Sequence, residues 1–600
     1  MNILPLRLLL ATLAVFVLAA MPRLTAQSVP ATADSTINIV SYLKLAPPQQ
    51  LAQDIMGVAR QVYPGMQTEM LPLMALGRYG YPTFPGVSTQ YPVTIFVFNG
   101  PGLGGGTGVV IAAQITPDSP VRSALASLRL AMQTDSATGW TFLSPNPALL
   151  SLAMATASDL VKIASQTTNV DLQLTTPTTD LTFLRSTVQT ALQTQAATAG
   201  GIPAGSQKWF DFGLQEMQAL TQVQVGVDCK PDAIRLTFSA TAQPGTALAQ
   251  VFSAPAGGPV PAAQFVTADA PILVVSHEDI PSIQAYLNHV FSDAQNIAGV
   301  NGKLLLASVQ KALDGYLSLA DGTVAEALSM TGTSDVHAQI VAGGNVTDAA
   351  VVSFLQQMYP DFASNLLQRV DSANGNLMQS NVTLNLDAGK VSGTPFHEVN
   401  MQQALNPAFV PSTAAKKAAL QAFTQNGTRT VQNNDMYFAA VNGYYISSSS
   451  AESLANLTQA VQSGQPVPNN LASLFTLSPG EMMAGQVNLG QVVANVMSTM
   501  NSVSGAPNSS ADAQAALRSA NLQPITFSAT TGANQVQFQI AIPVSSIVQT
   551  IHLSQPPPPP PPVNNSAPAP SPSSGAAPST LPPPQSVVTP TAPASTGASN

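Results

Sequence analysis

Four short stretches alternate apolar and polar residues at a period of two: Val223-Gln224-Val225-Gly226-Val227, Ile234-Arg235-Leu236-Thr237-Phe238, Ile525-Thr526-Phe527-Ser528-Ala529 and Val536-Gln537-Phe538-Gln539-Ile540. Successive strand residues point to opposite sides, so this spacing predicts strands with one packed face and one solvated face. Elsewhere the period is that of a helix. Leu51, Ile55, Val58 and Val62 form one apolar stripe, and Ile283, Leu287, Val290 and Phe291 another. Ser119-Pro120, and Ser449 with Glu452 three residues on, mark helix starts. Asn442-Gly443 between apolar runs marks a tight hairpin.

These elements recur in order. Gly139-Trp140-Thr141-Phe142 resembles Gly443-Tyr444-Tyr445-Ile446, Leu172 on a short strand aligns with Leu489, and the closing strands align at Ile234 and Val536. The intervals are close: 443 − 139 = 304, 489 − 172 = 317 and 536 − 234 = 302. A nearly constant interval is the mark of an internal repeat. The expected fold class is α+β: two tandem, internally duplicated domains of antiparallel sheet, each covered by helices on one face. Domain one spans 33–262 and domain two 263–552. Strand candidates His337–Val341 and Val382–Leu386 lack a clear first-half match, which places an insertion near 336–402.

Both ends depart from this pattern. Arg7 followed by the apolar run Leu8–Ala20 reads as a secretory signal, residues 1–26, with cleavage expected after Ala26, Ala19 being the less favoured site and an uncleaved anchor the alternative. Thirteen residues are too few to span a bilayer, which takes about 20. From Leu553 to Asn600 no side chain is charged and Pro556–Pro562 is unbroken proline, so 553–600 reads as a disordered Pro-rich tail, a spacer or a ligand for a partner.

Composition narrows function. Lys and Arg number 20 and Asp and Glu 29 among 600 residues, or 8% charged, against about a quarter in an ordinary domain. A net charge of −9 with no basic run argues against nucleic acid. Cys229 is the only cysteine, so no intrachain disulfide forms; Lys230 beside it could favour a thiolate, but the favoured reading is a plain half-buried cysteine.

Each chemical motif has a plain structural reading. Gly102–Gly108 lies between two strand candidates rather than before a helix, which reads as a hairpin loop instead of a phosphate cradle. Ser308-Val309-Gln310-Lys311 matches the Ser-x-x-Lys signature but lacks its companion motifs. His277-Glu278-Asp279 has no second His at helical spacing, and Asp279 before Ile280-Pro281 suits a helix N-cap. His289, His337, His397 and His552 stand apart. Trp140, Tyr437, Tyr444 and Tyr445 read as core anchors.

No residue is therefore assigned a catalytic, cofactor-binding or metal-binding role, and no cofactor is expected. The expectation is an exported, non-catalytic binding or structural protein of the envelope or extracellular space, without a transmembrane segment. Its partner would be an envelope component, a carbohydrate or an apolar ligand. The alternatives are a secreted hydrolase using Asp228, Glu278 and Asp279, and a self-assembling matrix protein.

Overall fold

The structure, a computed structural model, describes residues 38–62, 85–99, 107–127, 129–178, 206–267, 270–297, 300–319, 321–331, 335–359, 378–406, 431–465, 476–504 and 511–554, with Phe409 and Lys417. The signal segment, the Gly102–Gly106 part of the glycine loop and the Pro-rich run lie outside them. The chain divides at Gln555 into a unit that holds every described residue and a second, Pro556–Asn600, that lies beyond them.

The chain first forms β1 (Asn38–Leu45), α1 (Pro48–Val62), β2 (Val93–Asn99), β3 (Thr107–Gln114) and α2 (Pro120–Ser127). There follow β4 (Ala131–Thr134), β5 (Trp140–Ser144), α3 (Pro147–Ala155), α4 (Ala157–Ala164) and β6 (Leu172–Pro177). Then come α5 (Ser206–Gln218), β7 (Leu220–Cys229), β8 (Ala233–Ala242), α6 (Ala247–Phe252) and the short β9 (Gly258–Pro259). The second half opens with β10 (Ile272–His277), α7 (Ile280–Ile297), α8 (Val300–Leu317), β11 (Thr323–Thr331) and β12 (Asp335–Val346). It continues through α9 (Asp348–Gln357), β13 (Met378–Val391), β14 (Thr394–Leu405), β15 (Val431–Val441) and β16 (Gly443–Ser448). It closes with α10 (Ala451–Ser463), β17 (Thr476–Leu477), β18 (Glu481–Val487), α11 (Leu489–Ser504), α12 (Ala511–Ser519), β19 (Ile525–Gly532), β20 (Gln535–Pro543) and α13 (Val544–Ser554).

Among the described residues, all strands but β9 and β17, which pair with each other, join one antiparallel sheet of 18. Its seam is the pairing of β8 with β20. Outward from the seam the first half reads β8, β7, β6, β1, β2, β3, β5, β4. The second half reads β20, β19, β18, β10, β11, β12, β16, β15, and then β14 and β13. Thr237 pairs with Gln539 across the seam, and 539 − 237 = 302 is also the interval between the first residues of these strands, 535 − 233. The seam ladder thus reads the same from either half.

Leu489 opens α11, two residues past the end of β18. The segment His337–Val341 lies in β12, between β11 and β16, and Val382–Leu386 lies in β13, which pairs with β14.

Helices cover both faces of the sheet, not one. Along β10, Leu273 and Val275 pack with Leu454, Leu457 and Val461 of α10, whereas Val274 packs with Leu248, Val251 and Phe252 of α6. A strand buried on both sides reads as a continuous apolar run, which hides its period. In the first half, α3 and α4 bury Leu149, Leu150, Ala153 and Leu160 against Phe96, Phe98, Trp140 and Phe142. No single helix among the described residues is long and apolar enough to cross a membrane; α3 and α4 together reach that length but bend by 85°.

Local signals hold well. Asn442 and Gly443 take φ of 48° and 83°, as a primed hairpin turn requires. Asp279 Oδ2 accepts from the Ser282 N–H at 3.2 Å and caps α7, and the Ser119 hydroxyl accepts from Val121 N–H at 3.2 Å at the start of α2. The cap of α10 is Ser450, one residue after the sequence-expected Ser449.

Candidate functional site

Ladder partners share a face, so the seam register defines one field of side chains. On β7 it presents Gln222 and Gln224, on β8 Thr237, Ser239 and Thr241, on β20 Gln535, Gln537 and Gln539, and on β19 Thr526, Ser528 and Thr530. The opposite face carries Val223, Ala240, Val536 and Ala529, which pack under α6 and α7. Thr526 and Thr530 are exposed and the glutamines half-buried; of the field only Ser239 is buried, and it donates to Gln224 Oε1 at 3.3 Å. Among the described residues the side chains of Gln222, Thr237, Gln535, Gln537, Gln539, Thr526 and Thr530 have no hydrogen-bond partner in the chain. With strands about 4.8 Å apart, these amides and hydroxyls form a regular uncharged lattice on both sides of the seam.

The field ends in charge on the first-half side. Asp228 and Arg235 are the next ladder pair outward, 3.7 Å apart. Lys230 Nζ stands 2.7 Å from Asp54 of α1, 3.3 Å from Asp228 and 3.7 Å from Asp171. Asp171 is fully buried and accepts from the Cys229 N–H at 2.7 Å. Burial pushes its carboxyl above the usual range, with Cys229 N–H and Lys230 opposing. Burial works against the charge on Lys230, and the carboxylates of Asp54, Asp171 and Asp228 outweigh it, pushing Nζ up to about 12. The Cys229 thiol moves up as well, by burial first and then by the three carboxylates. Lys230 does not make it a thiolate, because that cation is already shared among acids.

The other sequence candidates scatter. His277, Glu278 and Asp279 line a cavity of about 10 Å³ with Met482 and Thr531, room for about one water. Asp228 belongs to the Lys230 cluster instead, so the three carboxylates of the hydrolase alternative divide between two places. Ser308 and Lys311 lie on α8, Lys311 exposed. Trp140 and Tyr445 are 2% and 3% exposed, while Tyr444 packs on Phe265 and Tyr437 on Phe396. His397 is buried: its Nδ1 accepts from the Asp387 N–H at 3.2 Å and its Nε2 faces Asp348 Oδ1 at 3.1 Å.

Two groups escaped sequence reasoning. Lys44 on β1 is 3% exposed, and Glu216 meets His289 and Asp293 from another helix. Neither has a local signature, since each depends on which distant segment packs against it. No protein family, curated protein or solved structure matches this chain.

Proposed function

We propose that this is an exported, non-catalytic binding protein of the cell envelope or extracellular space. It is built as a duplicated pair of α+β halves fused through one sheet, and it works through the field of Gln, Ser and Thr side chains on β7, β8, β20 and β19. One observation carries the reading: seven amide and hydroxyl side chains on that contiguous face lack any partner within the chain among the described residues. Solvated donors and acceptors in a lattice suit a ligand that offers many hydroxyls. A charged ligand would call for opposite charge across the contact, and the field contains none. It also holds no aromatic ring for stacking a single sugar, so the favoured ligand is an extended neutral glycan that gains from many weak contacts. Export rests on the N-terminal signal pattern, and the duplication on the repeated strand order and the 302-residue interval.

The test is co-sedimentation of the purified protein with cellulose, chitin and mixed β-glucan at low and high salt. Retention on at least one, insensitive to salt, is expected. The double variant Thr530→Asp, Gln537→Glu should lose tenfold or more of that retention with an unchanged circular dichroism spectrum. Equal retention by the variant, retention on none, or binding abolished by salt would each sink the reading.

A further inference from the structure

A second cluster of chemistry-bearing side chains lies apart from the polar face. Glu216 of α5 and His289 and Asp293 of α7 each bring one ligand atom, and these atoms all lie within 4.8 Å of one another. His289 and Asp293 are four residues apart, so they project from one face of α7, with Nε2 and Oδ2 3.9 Å apart. Glu216 arrives from α5, which precedes β7 in the first half and packs on α7 of the second. The ligand set therefore spans the two halves.

We propose that Glu216, His289 and Asp293 form a binding site for a divalent transition cation of the zinc type, which clamps α5 to α7. Two carboxylates and a neutral imidazole carry two negative charges, matching the cation. One nitrogen with two oxygens suits zinc and its neighbours better than calcium or magnesium, which take oxygen sets. Three protein ligands leave a fourth position for water. The cation has a way in, because the side chains of His289 and Asp293 are 52% and 30% exposed. Glu216 is half-buried, and among the described residues its carboxylate has no hydrogen bond or salt bridge. The cluster of Asp348, Asp387 and His397 carries no such proposal, since both ring nitrogens of His397 are already engaged.

The test is calorimetric titration of the tag-free, metal-stripped full chain with zinc chloride, run beside calcium and magnesium chloride. One zinc per chain is expected, with a higher thermal midpoint when zinc is bound. His289→Ala and Glu216→Gln should each weaken zinc at least tenfold and abolish the midpoint shift, while His552→Ala leaves both unchanged. Cobalt substitution should give a visible spectrum that vanishes in His289→Ala. Failure of the wild type to bind zinc, a preference for calcium or magnesium, or undiminished binding in His289→Ala would overturn the proposal.

Discussion

Lys44 offers a clean test of the interior, because it is a cation buried without a carboxylate partner among the described residues. It lies on β1 opposite Thr94 and Gln173, 3% exposed. Its Nζ donates to the Gln166 carbonyl at 3.2 Å and the Gln166 side-chain oxygen at 3.4 Å. Burial pushes the ammonium down from 10.5 to about 8. At 1.36 kcal/mol per unit, that gap corresponds to roughly 3 kcal/mol. Below pH 8 both folded and unfolded chains are protonated, and the fold bears the whole penalty. Between about pH 8 and 10.5 the folded state sheds the proton first, so the unfolded state holds more protons and stability rises with pH. Lys44→Met keeps the stem and removes the charge. After about 1 kcal/mol lost with the bonds to Gln166, it should be about 2 kcal/mol more stable than wild type at pH 7. Urea unfolding of both proteins at pH 7, 8, 9 and 10 reads the difference directly. It should shrink and change sign as pH rises. A difference that is flat with pH, or one that widens in favour of the variant above pH 9, would refute the reasoning.

Two further outcomes follow from the site geometry. Burial and neighbouring carboxylates hold the Cys229 thiol up, so iodoacetamide at pH 8 should alkylate it at least tenfold more slowly than a free cysteine peptide; equal rates would mean that Lys230 activates it after all. His397→Phe removes two bonds from a buried ring that ties β14 to the first turn of α9 through Asp348, and should cost about 2 kcal/mol. Hydrogen exchange should accelerate within Met378–Leu405, and unchanged protection there would show that the ring is not the tie.

The sequence by itself determined whatever is encoded within a few residues. The alternation in Val223–Val227, Ile234–Phe238, Ile525–Ala529 and Val536–Ile540 specified strands with one polar face, because a strand cannot place both residue types on the same side. Asn442-Gly443 and Asp279 specified a turn and a cap through backbone dihedrals and one hydrogen bond each. The cap of α10 lies one residue on from Ser449 because the Ser449 hydroxyl accepts from the Ala338 N–H of β12, leaving Ser450 to accept from the Ser453 N–H. Only the tertiary structure decided which strand edges meet. The alternation of β8 suits any antiparallel partner, and its pairing with a strand 302 residues away is a non-local choice that leaves no mark on either segment. The same holds for Asp54, Asp171 and Lys230, and for Glu216 with His289: scarce charges far apart in the chain become neighbours only when helices and hairpin ends dock. Period and turn chemistry are local properties, whereas proximity belongs to the assembled core.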